Sequence, residues 1–187
     1  MESDTNSLIN KLIFSECIML DSVSILIGLA QIAAAFAGFA ALVSVLRERG
    51  QHAEALHDIL RLRIVISTSV LVIASALMPI GLLAFSLDDR IIWLVSAILM
   101  LMLNYGIIFS FVGSYKPVQG EFEVDRMAVL VTGLLELVDQ AALFLIVLDV
   151  FPEYRFPLYL TALIINVSQA AFVFIRYVGS EFRASRP

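Results

Sequence analysis

Thr132-Gly133-Leu134-Leu135-Glu136-Leu137-Val138-Asp139-Gln140 places two carboxylates and an amide near the middle of an apolar run from Met127 to Val150. At 1.5 Å of rise per residue that run is about 36 Å long as a helix, more than the roughly 30 Å of a bilayer's hydrocarbon core. Its fourteen Leu, Ile, Val and Phe residues supply about −4 to −8 kcal/mol of insertion free energy, and two ionised carboxylates near the centre cost about 5–7 kcal/mol. The run is therefore near break-even alone. A proton, packing or a partner has to rescue it.

Glu136, Asp139 and Gln140 are spaced i, i+3 and i, i+4, so they share one helix face with Thr132 and Leu143. The carboxylates repel each other and both leave water. At least one is expected to hold a proton near neutral pH.

The rest of the 187-residue chain fits this reading. Hydrophobic residues make up 60% and charged residues 16%, against about 45–50% apolar in a soluble domain. Apolar runs recur at 23–46, 62–85, 91–115 and 156–177 besides 127–150. Each exceeds the ~18 residues that mark a membrane span. Residues 8–20 are apolar with Asn10, Lys11, Ser15 and Glu16 interspersed, too short and too charged to cross. They read as an interfacial helix or an extension of the first span. The expected fold is all-α: a polytopic helical membrane protein with about five transmembrane helices plus a short N-terminal interfacial helix, in one domain over 1–187.

Charge asymmetry gives an orientation. With segments 47–63, 116–126 and 176–187 on the cytoplasmic side, nine basic residues lie inside (Arg47, Arg49, Arg61, Arg63, Lys116, Arg126, Arg176, Arg183, Arg186) and three outside (Lys11, Arg90, Arg155). Basic residues favour the cytoplasmic side, so the N-terminus is expected outside and the C-terminus in the cytoplasm. If 127–150 failed to cross, the count would fall to seven against five. The start is acidic and its first apolar run is long, unlike a cleavable signal peptide. A net charge of −5 argues against nucleic acid as a partner. The lone Cys17 excludes an internal disulfide and a multi-cysteine metal site. His52 and His57 are five apart, in what reads as a solvated loop, which does not suit a shared metal. No metal and no cofactor is expected.

Other spans carry polar groups at similar depth: Gln31 on the first, Ser75 on the second, Asn104 on the third, Asn166 and Gln169 on the fifth. Polar groups in lipid must find partners. No basic residue comes within roughly 12–15 Å of helix rise of the midplane, beyond the comfortable reach of Arg63 or Arg176. The economical arrangement brings the amides of Asn104, Asn166, Gln169 and Gln31 to Glu136, Asp139 and Gln140 inside the bundle. Asn166-Val167-Ser168 matches a glycosylation sequon but falls mid-membrane and is set aside. Pro79 in the second span frees a backbone carbonyl and is expected to kink the helix.

The first span has small residues four apart in two series, Ala30, Ala34, Gly38 and Ala33, Ala37, Ala41, a spacing that lets helix backbones approach in lipid. Packing within the chain is one reading and a homo-oligomer seam the other. Gln31-Ile32-Ala33-Ala34-Ala35-Phe36-Ala37-Gly38-Phe39, followed by an arginine-rich turn and a second span with a late proline, resembles the start of small uncharacterised bacterial inner-membrane proteins. The resemblance covers about a third of the chain. It implies a membrane location and carries no activity.

Three function classes follow. Intramembrane acids mark ion or proton pathways by default, so a small channel-like or transporter-like protein is the leading expectation. Against it, the five spans show no inverted duplication. The second is a structural, regulatory or pore-forming effector subunit that uses the polar cluster for helix association and joins a second copy or a membrane partner. An intramembrane enzyme is disfavoured. Aspartyl chemistry needs acids on two helices, and both histidines lie outside the spans.

Overall fold

A computed structural model describes residues 2–46, 52–115 and 126–184. The Arg47–Arg49 turn, most of the acidic 116–126 segment, and the side chains of Cys17, His52 and His57 lie outside the described set. Five helices follow one another: α1 Glu2–Leu46, α2 His52–Leu83, α3 Asp89–Tyr115, α4 Arg126–Val147 and α5 Arg155–Ala184. Each contains a stretch long and apolar enough to cross a membrane, at Asp21–Val45, Leu62–Leu83, Asp89–Ser110, Val129–Val147 and Pro152–Arg176. No strand occurs among the described residues.

Two expectations about helix limits change. Residues 8–20 continue α1 without a break, so the separate interfacial helix is replaced by an extension. The segment from His52 to Arg61, expected as a loop, is the first part of α2. Its composition accounts for this. Ala53, Glu54, Ala55, Leu56 and Leu60 are good helix formers, and the segment contains no proline or glycine.

The two short connections show why the chain reverses where it does. After α2 the last turn tightens, with Ser86 N–H donating to Leu83 O at 3.0 Å and Ser86 left-handed at φ 52°. Asp88 O then accepts from Ile91 and Ile92 N–H at 2.9 and 3.1 Å to open α3. After α4, Val150 N–H reaches Leu145 O at 3.2 Å and Asp149 N–H reaches Ile146 O at 3.0 Å. That pair of bonds is the Schellman closure of a helix, with Asp149 at φ 55° in the glycine-favoured position that aspartate tolerates. Pro152 follows and starts a 3-10 turn into α5. Both connections lie at one end of the bundle, called the hairpin end. The other is the far end.

Helices α1 to α4 pack in sequence order, and α5 packs against all four. The main core joins Leu26, Ala30 and Ala33 of α1, Leu71, Val72 and Ala76 of α2, Ala97 and Met100 of α3, Ala142, Leu143 and Ile146 of α4, and Tyr159, Ala162 and Leu163 of α5. Alanine recurs on every helix, which lets the helix backbones come close. Toward the far end a second cluster, Ala40, Leu62 and Val65 with Phe36, Ile66, Val173 and Phe174, joins only α1, α2 and α5.

Pro79 sits fully buried inside an unbroken α2. It cannot donate to the carbonyl four residues back, which is that of Ser75. The phenol of Tyr159, 0% exposed on α5, donates to that carbonyl at 2.7 Å. The freed backbone group is thus satisfied from a neighbouring helix, as the interior of a bundle requires.

Candidate functional site

The polar face of α4 is turned into the bundle. Asp139 is 0% exposed. Asn104 Nδ2 from α3 donates to its Oδ2 at 2.7 Å, and Asn166 Nδ2 from α5 donates to its Oδ1 at 2.9 Å. The Asn166 amide also donates to Ala162 O at 3.0 Å, which fixes its rotamer. Asn104 and Asn166 are buried with it. Three helices therefore meet on one carboxylate.

Glu136 forms a second tier, one turn nearer the far end. Gln140 Nε2 on the same helix donates to Glu136 Oε1 at 2.8 Å. Gln169 Nε2 from α5 lies 3.3 Å from Glu136 Oε2 and 3.3 Å from Thr132 O. All three side chains are part-buried. The two tiers run along the α4–α5 contact, and Asn104 joins α3 to the Asp139 tier.

Both Asp139 donors are neutral amides. Arg63, expected to fall short of the acids, donates to Ser110 Oγ at 3.0 Å, and Arg176 lies 5.6 Å over the Phe172 ring. Two buried amide oxygens, Asn166 Oδ1 and Gln140 Oε1, have no hydrogen-bond donor. The buried hydroxyls of Ser69, Ser75 and Ser96 also lack a hydrogen-bond partner. The two amide oxygens are therefore acceptors without a donor, on the same side chains that donate to Glu136 and Asp139. Among the described residues no three His, Cys, Asp or Glu side chains gather as a metal would need.

Toward the hairpin end the site is closed. Met100, Leu143 and Leu163 are 0% exposed, and Trp93 packs 5.5 Å from Phe156 and 5.6 Å from Tyr159 between ring centres. Trp93 Nε1 donates to Asp89 Oδ1 at 2.7 Å. Above the rings, Arg155 holds Asp149 with Nη2 at 2.6 Å and Nε at 3.0 Å. Asp89 lies 3.5 Å from Arg155 and Arg90 lies 3.1 Å from Asp149. These pairs tie the start of α3 to the α4–α5 turn.

Six of the seven carboxylate and amide positions singled out in the spans therefore come together: Asn104, Glu136, Asp139, Gln140, Asn166 and Gln169. Gln31 does not. It is exposed on α1, because the face α1 buries runs through Leu26, Ala30, Ala33 and Ala40. The same geometry divides the small-residue series. Ala30 and Ala33 are buried and Ala37 is half-buried, whereas Ala34, Gly38 and Ala41 face outward. A Cβ placed on Gly38 would meet no atom within 4 Å. Packing within the chain accounts for the first three positions and not for the others.

Tyr159, Ser96 and Ser69 were not among the expected site residues. Serine and tyrosine are common in membrane helices, and nothing in their spacing marks them. Pro79 was the signal for Tyr159, since it requires that some donor reach Ser75 O. No protein-family model, curated protein or solved structure matches this chain.

Proposed function

We propose that the chain is a small multi-pass membrane protein, of the bacterial inner-membrane type, that handles a proton or a monovalent cation at the Asp139–Asn104–Asn166 cluster. One observation carries this reading: a fully buried carboxylate whose two hydrogen bonds come from neutral amides on two other helices. A carboxylate so placed is satisfied in charge only by a proton or a small cation. The donorless oxygen of Asn166 adds an acceptor next to it. Glu136, Gln140 and Gln169 form a less buried tier leading toward the far end. The excess of basic residues at that end makes it the cytoplasmic one, with the N-terminus outside.

The test is flux. Full-length protein in liposomes carrying a pH-sensitive or sodium-sensitive dye is compared with the double variant Glu136→Gln, Asp139→Asn. Loss of proton or cation flux in the variant, with an unchanged elution profile in detergent, supports the reading. Equal flux in both proteins overturns it.

A second reading has its own support. Each Asp139 oxygen already has a donor, and bonds of this kind fix helix register. On that basis the protein is a structural, regulatory or pore-forming subunit, and the cluster holds α3, α4 and α5 together. The outward Ala34, Gly38 and Ala41 would then meet a second copy or a membrane partner. The neutral double variant would keep its function, whereas Gly38→Leu would abolish assembly on a native gel.

A further inference from the structure

A second feature lies apart from the carboxylates, between the far-end halves of α2 and α3. A groove of about 340 Å³ is lined by Arg63, Ile64 and Ser67 of α2 and by Met102, Leu103, Gly106, Ile107 and Ser110 of α3. The volume is within the range of small-ligand sites. It arises because α3 has no buried side chain among its described residues beyond Asn104, while α2 stays packed on α1 and α5 through Leu62 and Val65. Serine and glycine on the facing surfaces leave the space open. A Cβ on Gly106 would meet no atom within 4 Å.

The lining is divided by chemistry. Arg63 and Ser110, bonded to each other at 3.0 Å, sit at the end nearer the helix termini, with Ser67 one helical turn further in. Met102, Leu103, Gly106 and Ile107 continue the groove toward the middle of the bundle. From Ser110 to Met102 the helix rises about 12 Å, close to the roughly 15 Å depth of one leaflet's hydrocarbon. Among the described residues, the lining holds one guanidinium, two hydroxyls and no carboxylate.

The geometry points to a binding site for one net-anionic phospholipid. Its phosphate meets Arg63 and the hydroxyl of Ser110, and one acyl chain lies along Leu103, Gly106 and Ile107. Guanidinium is suited to phosphate because its planar fork gives two parallel hydrogen bonds. A basic pocket between helices at the cytoplasmic surface is the setting in which anionic headgroups bind. A zwitterionic headgroup brings an ammonium for which the described lining residues offer no acid. The inference rests on the chain spanning a membrane and not on ion handling by Asp139.

Native mass spectrometry of the full chain in detergent tests it, with phosphatidylglycerol, phosphatidylcholine of the same acyl chains, and inorganic phosphate added in turn. The expected result is a retained one-to-one phosphatidylglycerol adduct about fivefold stronger than that of phosphatidylcholine, with no competition from inorganic phosphate. Arg63→Gln should remove the preference and Arg63→Lys should keep most of it. Gly106→Leu places a side chain in the open groove and should weaken both lipid adducts while leaving helicity by circular dichroism unchanged. Equal binding of the two lipids, adducts unchanged in both Arg63→Gln and Gly106→Leu, or displacement of the lipid by inorganic phosphate overturns the proposal.

Discussion

Asp139 and Glu136 are one turn apart on the same helix, yet they occupy different environments. Asp139 is sealed from every side and held by asparagines from two other helices. Glu136 is part-buried and takes one of its two donors, Gln140, from its own helix. Among the described residues of α4, those buried in the core, Asp139, Ala142, Leu143 and Ile146, all lie on the hairpin side of Glu136, so the cost of an unsatisfied group rises steeply between the two acids. Position along the chain gives both acids nearly the same depth. Packing decides which one is structurally expensive to disturb.

That difference can be broken at Asp139 first. Asp139→Ala strands two buried amide donors and should cost about 2–5 kcal/mol, read as a large fall in thermal midpoint in detergent. Asp139→Asn keeps the shape and should cost much less, so a variant series separates lost hydrogen bonds from lost charge. If Asp139→Ala melts with the wild type, the three-helix junction does not carry stability.

Tyr159 tests the same logic on a backbone group. Tyr159→Phe leaves Ser75 O without its donor and should cost about 1–3 kcal/mol. In a Pro79→Ala background the restored N–H of residue 79 can take that carbonyl, so the loss from Tyr159→Phe should shrink. A double-mutant cycle on equilibrium unfolding measures the coupling. Additivity of the two substitutions would refute the account of why Tyr159 is buried there.

Arg155→Ala should cost about 1 kcal/mol, because its ion pairs with Asp149 and Asp89 are only partly shielded from solvent. High salt should reduce the difference. Glu136→Gln should fall within about 1 kcal/mol of wild type, since an amide can pair with Gln140 and Gln169. Gln31→Leu should leave monomer stability unchanged to within about 0.5 kcal/mol, as expected of an exposed position outside the core. A shift of the Gln31→Leu protein on a native gel would instead show that this α1 face meets another chain.

Much of this could be read from the residues, for identifiable reasons. Apolar runs of the right length set the five helices, because a polar backbone in an apolar setting has few ways to satisfy itself. The i, i+3 and i, i+4 spacing put Glu136, Asp139 and Gln140 on one face, and Asn104, Asn166 and Gln169 were at the right depth to meet them. Gln31 was at that depth too and stands outside the bundle. The helical start of α2 was hidden because His52, Glu54 and Asp58 make the segment polar, and polarity alone does not separate a loop from an exposed helical turn.

The sequence by itself determined the helical class, the number of apolar helices and the depth of each polar group, since these depend on run length and on the rise per residue. It also determined that Pro79 would leave a carbonyl in need of a donor. Only the tertiary structure decided that the donor is Tyr159, that Asp139 rather than Glu136 is sealed, and that Gln31, Ala34 and Gly38 face outward. Those outcomes depend on how each helix is rotated about its own axis. That rotation is set by the combined packing of five helices, above all against α5, and no single stretch of the chain specifies it.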